Sequence, residues 1–153
     1  MISSKEHIEF LKNDVLGTIN KMYESGLETM SCLIIAQAIE VLGAYLDDKP
    51  MRAKAQSAKR FSLAVYKLFD YKYAAFNRKN RLYYQLRANY IHMLMPTDSL
   101  KFVSNKKLHL TDEDGAINIV PYVLLKDFTH AINKLIKMLE EKSLNPKKVS
   151  SNF

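Results

Sequence analysis

The chain is poor in cysteine, glycine and proline, and it lacks a long uninterrupted apolar run. Cys32 is its single cysteine, which excludes an internal disulfide and favours a reducing compartment. Because no run of about 18 apolar residues occurs, the sequence predicts no transmembrane helix. The first residues carry acid and lack the apolar stretch of a signal peptide, which predicts no secretory leader. We therefore expect a cytoplasmic protein with no membrane association.

Glycines and histidines are scattered along the chain, four of each, and this argues against several kinds of site. Isolated glycines do not build a phosphate-binding loop. The histidines recur in no metal-ligand spacing, and the consecutive acids Asp112, Glu113 and Asp114 lack the alternation of a calcium loop. The sequence predicts neither a metal site nor a cofactor.

The chain does have enough apolar residues for a core and an excess of basic residues. Of its 153 residues, 48% are hydrophobic, which suits one domain. The net charge of +7 permits nucleic-acid binding but does not require it. A basic cluster precedes position 88 and consists of Lys72, Arg78, Lys79, Arg81 and Arg87. It is either a phosphate-attracting surface or an ordinary solvated helix face.

Apolar residues recur at helical spacing in five segments. The predicted helices cover about residues 4–24, 27–46, 52–71, 76–95 and 122–141. The second is apolar almost all round, which is typical of the central helix of a bundle. Its apolar part from Cys32 to Leu46 is interrupted by Gln37, Glu40 and Gly43, which favours a buried helix of a soluble protein over a membrane span.

Between the fourth and fifth helices the pattern becomes extended. Residues 101–104 and 107–110 have strand character, and residues 111–115 form a turn in which Gly115 can adopt a positive φ. Residues 116–120 return as a strand, which predicts a β-hairpin. We therefore expect an all-α antiparallel bundle of four to five helices with a small β-hairpin inserted before the last helix. This single domain would cover residues 1–142, and residues 143–153 would form a polar tail.

The fourth predicted helix carries an arginine and a histidine five positions apart, Arg87 and His92. Arginine can hold a phosphate, and histidine can transfer a proton near neutral pH. At about 100° per residue the two side chains would lie about 140° apart on an α-helix. They would therefore not meet on one helix.

The same helix has two apolar strips. The broad strip, which we expect to face the core, consists of Leu82, Tyr83, Leu86, Tyr90, Met93 and Leu94. The narrow strip on the opposite side consists of Tyr84, Ala88, Ile91 and Met95, and a monomer has no need of it. If two copies pack through the narrow strip about a two-fold axis, Arg87 of one chain approaches His92 of the other. The sequence thus predicts a homodimer with a polar cleft.

Each of these features also has a purely structural explanation. Arg87 can pair with an acid of the second helix such as Glu40, a residue otherwise awkward in an apolar helix. His92 can be a hydrogen-bonded histidine near a helix end, and the narrow strip can pack on the hairpin or on the last helix. The tyrosines near the pair can stack on bases or be half-buried core residues; of these, Tyr84 is expected at the dimer cleft.

With its R-x4-H spacing late in an antiparallel bundle, the stretch LYYQLRANYIHMLMP at positions 82–96 resembles the HEPN superfamily. It is similar to a bacterial branch in which a short β excursion and a closing helix follow the motif helix. The resemblance covers about residues 30–140, and its specific part is the motif with its flanks.

The resemblance implies metal-independent RNA cleavage as the leading function and a non-catalytic binding or dimerisation module as the alternative. Many members are metal-independent endoribonucleases of toxin–antitoxin, abortive-infection or RNA-processing systems, and others are non-catalytic modules that dimerise or bind a nucleotide, RNA or a protein. In the catalytic form, Arg87 would hold the scissile phosphate, and His92 would carry a proton to or from the ribose 2′-OH or the leaving oxygen. The products would be a cyclic phosphate and a free 5′-hydroxyl. Arg81, Tyr84 and Asn89 would contact the substrate.

One position departs from the family pattern. Active members usually carry a polar residue directly after the arginine, where this chain has Ala88. Asn89 comes one residue later and projects nearer the core-facing side. This departure favours the non-catalytic module, or a plain helical scaffold in which Arg87 is structural. The narrow strip and the basic cluster favour a functional cleft.

Overall fold

A computed structural model describes residues 3–144 of the chain, and helix makes up 68% of the structure. The α-helices are α1 (Ser4–Glu9), α2 (Thr18–Glu24), α3 (Glu28–Leu46), α4 (Ser57–Leu68), α5 (Tyr71–Phe76), α6 (Tyr90–Met93) and α7 (Pro121–Glu140). The segment Phe10–Gly17 between α1 and α2 is π-helical, as is Tyr83–Asn89 before α6, and 3-10 turns occur at Arg78–Asn80 and Lys106–Leu108. The predicted helical bundle with an insertion before the last helix is confirmed.

Helix α3 is the centre of the bundle, as its all-round apolar sequence predicted. It packs against α2, α4 and α7, and its core side chains include Ile35, Ile39 and Leu42, which are fully buried. By length and by a mean hydropathy of 1.6, α3 would also suit a membrane span. However, 61% of its most apolar stretch is buried inside the protein. Core helices of soluble proteins pass the same test, so the hydropathy of α3 decides nothing about localisation.

The third predicted helix is shorter than expected at both ends. It begins at Ser57 rather than near residue 52, because residues 47–56 form a loop that the buried guanidinium of Arg60 holds. That guanidinium donates to both carboxylate oxygens of Asp47 and to the carbonyls of Pro50 and Met51. The helix ends at Leu68, after which the chain becomes extended. Asp70 then caps the next helix, α5, because its carboxylate accepts the Lys72 backbone N–H.

The predicted hairpin is part of a three-stranded mixed sheet made of β1 (Leu100–Phe102), β2 (Thr111–Glu113) and β3 (Ala116–Ile119), in the order β1-β3-β2. Strands β2 and β3 pair antiparallel around Asp114 and Gly115, both with positive φ. Two details of the prediction were wrong. Residues 111–113 were expected in the turn, but they form β2. Residues 107–110 were expected as the first strand of the hairpin, but they begin within the 3-10 turn at Lys106–Leu108. Strand β1 instead joins β3 in parallel.

The last helix begins at Pro121, whose missing N–H suits the first turn of a helix, and ends at Glu140, one residue from each predicted boundary. Beyond it, the Ser143 hydroxyl donates to the Met138 carbonyl, and Leu144 packs partly against the core. The rest of the predicted polar tail, residues 145–153, lies outside the described residues.

Candidate functional site

The motif helix, residues 81–93, places the predicted arginine against the centre of the bundle. The Nε of Arg87 lies 2.9 Å from the Oε2 of Glu40 on α3, and the two side chains are only 17% and 16% exposed. The groups meet as an ion pair without the alignment of a hydrogen bond. The predicted alternative partner of Arg87 is thereby confirmed, and each charge neutralises the other in a partly desolvated place.

Much of the motif helix is not α-helical. Residues 83–89 are π-helical, where hydrogen bonds run from residue i to i+5 and each turn holds an extra residue. The predicted angle of about 140° between Arg87 and His92 assumed α-helical geometry throughout, so it does not describe this helix. The wider turns also change which side chains face the core beyond residue 89.

The prediction of the core-facing strip is therefore correct for its first four residues and wrong for its last two. Leu82, Tyr83, Leu86 and Tyr90 are buried as predicted. Met93 and Leu94 are instead 57% and 63% exposed. The π-helical turns shift the helix phase before Met93, and Leu94, with φ of 53°, ends the helix in the left-handed region.

The narrow strip is divided between the core and solvent. Ala88 and Ile91 are partly buried and pack against the core, whereas Tyr84 and Met95 are 49% and 58% exposed. Met93, Leu94 and Met95 thus form three consecutive exposed apolar residues, which we call the terminal apolar patch. His92 precedes this patch, in the last helical turn, and is itself exposed.

The basic cluster is largely engaged by the chain itself. Arg81 donates to the Asp112 carboxylate and to the Gly115 carbonyl, which fastens the start of the motif helix to the β2–β3 turn. Lys72 donates to the His109 carbonyl, and Arg87 pairs with Glu40. Arg78 donates to the Tyr71 hydroxyl and forms no salt bridge within residues 3–144. Asn89, the third predicted substrate contact, is half-buried within the π-helical segment.

Sequence reasoning missed a polar relay formed by the buried His109 and Tyr73 and the half-buried Asp127. The His109 Nδ1 accepts the Val120 backbone N–H at 3.0 Å, so the ring proton is on Nε2. Nε2 lies 2.8 Å from the Tyr73 hydroxyl, which in turn donates to the Asp127 carboxylate at 2.6 Å. Because the partners lie 36 and 54 positions apart along the chain, no local spacing could have indicated the relay.

Two pKa shifts agree with this assignment of protons. Burial, with a smaller contribution from the charge of Lys72, lowers the pKa of His109 to about 4. Burial and the neighbouring Asp127 carboxylate raise the pKa of Tyr73 well above its ordinary value. His109 is therefore neutral and Tyr73 protonated at neutral pH, as the hydrogen bonds require.

Two further observations bear on the kind of site present. Within residues 3–144, no group of three or more His, Cys, Asp or Glu side chains is placed to hold a metal ion. Cys32 is buried, and its desolvation raises the pKa of the thiol to about 12, so it is not a reactive thiolate near neutral pH.

Comparisons of the chain with protein families, curated proteins and solved structures found no match. The HEPN resemblance therefore depends on the residues of the motif helix alone.

Proposed function

We propose that this protein is a non-catalytic HEPN-like dimerisation module, in which the motif helix of one copy packs against the motif helix of a second. The terminal apolar patch and Tyr84 would form the contact. The observation that carries this proposal is the exposure of three consecutive large apolar residues, Met93 to Met95, at the end of a helix whose earlier turns are buried. A second copy that covers this surface would be stabilised, since burial of apolar area stabilises an interface.

We propose a module without catalytic activity because of the residues that surround Arg87. An arginine that holds a scissile phosphate needs its charge free to stabilise the charge that develops there. Here Glu40 lies 2.9 Å from Nε and offsets that charge. The apolar Ala88, where active relatives usually carry a polar residue, points the same way.

Oligomeric state tests the dimer directly. We expect the wild-type protein to sediment as a dimer at micromolar concentration, and Met95→Glu to weaken the dimer by about tenfold or more, since it places a charge in an apolar contact. Tyr66→Glu is the matched control, because Tyr66 on α4 is 75% exposed and lies outside the motif helix. A wild-type protein that is monomeric at every concentration contradicts the proposal.

RNA cleavage is the second candidate function, and one observation favours it. The ion pair engages Arg87 through Nε, and no hydrogen bond of its Nη groups is present within residues 3–144. Those groups can still approach a phosphate while Glu40 fixes the side chain. His92 is exposed one turn later, where a second copy could bring it toward Arg87.

Cleavage assays in EDTA separate the two functions. The non-catalytic module predicts that structured and single-stranded RNA stay intact. Metal-independent cleavage that disappears in His92→Ala would instead establish the ribonuclease. Because His92 is exposed and makes no hydrogen bond among the described residues, the substitution leaves the fold undisturbed. Retained cleavage in His92→Ala would indicate a contaminating nuclease.

A further inference from the structure

A cleft of about 620 Å³ opens where four parts of the chain converge. It lies between the end of α2, the start of α3, the end of β1 and the start of α7. Its lining consists of Tyr23, Glu28, Phe102, Val103, Ser104, Pro121 and Tyr122. The volume falls in the range of small-molecule sites. None of these residues belongs to the motif helix, although Phe102 packs on the ring of Tyr90 in that helix.

The lining combines three aromatic rings with one carboxylate. Tyr23, Phe102 and Tyr122 supply the rings, whose faces carry the negative part of the aromatic quadrupole. Glu28 is the acid of the cleft, and it takes part in none of the salt bridges found within residues 3–144. Rings around an unneutralised carboxylate are suited to a cation that is bulky and weakly hydrated.

The chain itself already places a cation on one of these rings. The Nζ of Lys106 lies 4.2 Å from the centroid of the Tyr122 ring, within the distance at which an ammonium is attracted to an aromatic face. Lys106 follows the strand β1 by four residues and is exposed. It is therefore free to leave the ring when another cation competes for it.

The electrostatics at Tyr23 are consistent with a cation site. Burial raises the pKa of the Tyr23 hydroxyl, and the Glu28 carboxylate adds to the shift, with smaller contributions from Cys32 and Tyr122. Tyr23 remains a neutral phenol near pH 7 and presents its ring without a charge of its own.

We propose that this cleft binds a small organic cation with a quaternary or alkylated ammonium head. The rings of Tyr23, Phe102 and Tyr122 would surround the head, and Glu28 would supply the opposite charge. Lys106 would act as an intramolecular competitor that occupies the Tyr122 ring in the unliganded protein.

Choline chloride is the probe, and binding is followed by two-dimensional NMR of the full chain. We expect saturable shifts at residues of the cleft, with a roughly millimolar dissociation constant. Sodium chloride at equal ionic strength controls for salt. The uncharged carbon isostere of choline, dimethylbutanol, controls for apolar binding. Equal affinity for choline and the isostere would overturn the proposal, because the cleft would then be only apolar.

Two lysine variants test the competitor. Lys106→Met removes the ammonium from the Tyr122 ring while keeping an apolar chain of similar length, so we expect it to tighten choline binding by about twofold to fivefold. Lys107→Met removes the same charge from the neighbouring position, and we expect a change of less than about twofold. Equal effects of the two substitutions would show only long-range charge and would overturn the role of Lys106.

Two lining variants test the site itself. We expect Glu28→Gln to weaken choline binding by about threefold or more and Tyr122→Leu to weaken it by about fivefold or more. Tyr122 is half exposed and Glu28 is exposed, so neither substitution disturbs the core. Unchanged affinity in both variants, or no binding of choline by wild-type protein and Lys106→Met alike, would show that the cleft is not a cation site.

Discussion

At the scale of single residues, Gly43 of α3 marks a very close approach between two helices. A Cβ atom built on Gly43 would lie 1.9 Å from the carbonyl oxygen of Arg60 on α4. That oxygen belongs to the backbone of a packed helix and cannot move away alone. The absence of a side chain at Gly43 is therefore what lets α3 and α4 pack at this distance, and the buried Arg60 network depends on it.

We expect Gly43→Ala to lower the free energy of unfolding by about 3 kcal/mol, because overpacking forces two helices apart. Chemical denaturation measures it. Gly17→Ala is the matched control: its Cβ would lie 3.4 Å from the Lys12 carbonyl, an ordinary contact. There the lower entropy of the unfolded chain should leave stability unchanged or raise it by up to about 1 kcal/mol. Equal effects of the two substitutions would contradict this account of Gly43.

At the scale of elements, the sequence predicted the features that depend on neighbouring residues and missed those that depend on distant ones. The apolar helix α3 and the amphipathic helix α7, both marked by local sequence, were placed within about a residue of their observed ends. The parallel pairing of β1 with β3 joins segments more than a dozen residues apart, and no local pattern records such a pairing. The π-helical turns at 83–89 also have no sequence signature of their own, which is why the exposure of Met93 and Leu94 was missed.

The same division holds for the candidate site. Arg87 and its partner Glu40 were both recognised, since a lone acid in an apolar helix signals a buried partner. The relay of His109 and the cleft around Tyr122 are assembled from distant segments and were not predicted.

The start of the motif helix depends on the buried amide of Asn77. Its Oδ1 accepts the Tyr83 backbone N–H at 2.9 Å, and its Nδ2 donates to the Ser62 hydroxyl at 2.8 Å. The amide thus satisfies one N–H of the first helical turn and ties the motif helix to α4. The neighbouring residues Lys79 and Asn80 both have positive φ. The backbone of this turn is therefore constrained and cannot easily offer the Tyr83 N–H another acceptor.

We expect Asn77→Ala to lower the free energy of unfolding by about 2 kcal/mol, because it leaves the buried Tyr83 N–H without its acceptor and the Ser62 hydroxyl without its donor. Asn89→Ala in the same helix is the control. The Asn89 side chain makes no hydrogen bond among the described residues, so the better helix propensity of alanine should make this change neutral or slightly stabilising. Thermal and chemical unfolding of both variants measure the difference, and a neutral Asn77→Ala would contradict the role of the amide.

At the scale of the whole molecule, the sheet is joined to the helical bundle through the relay of His109, Tyr73 and Asp127. These three side chains come from the segment before β2, from α5 and from α7. The ring of His109 also fixes the chain at Val120, immediately before α7 begins. The relay thus helps to fix the small sheet on the bundle, together with the Arg81 contacts to the β2–β3 turn and the burial of Ile117 and Ile119 in the core.

The relay should make the stability of the fold depend on pH in a defined window. The pKa of His109 is about 4 in the folded protein against an ordinary value of 6.5, so between these values the unfolded chain binds a proton that the folded protein does not. The free energy of unfolding should therefore fall as the pH drops from about 6.5 to about 4, by about 3 kcal/mol in total from this residue. Above pH 6.5 and below pH 4 the contribution should be constant.

Denaturation of the wild-type protein and of His109→Asn at pH 7, 5.5 and 4 isolates this contribution, because both chains share the same carboxylates and those cancel in the difference. The variant should be less stable at pH 7, since the shorter asparagine amide does not reach the Tyr73 hydroxyl as Nε2 of His109 does, but it should lose about 3 kcal/mol less than the wild-type protein on going to pH 4. The two stability curves should therefore converge toward low pH. Parallel curves would mean that His109 binds its proton as readily in the folded protein as in the unfolded chain, and the neutral ring that joins Val120 to Tyr73 would then not be what holds the sheet in place.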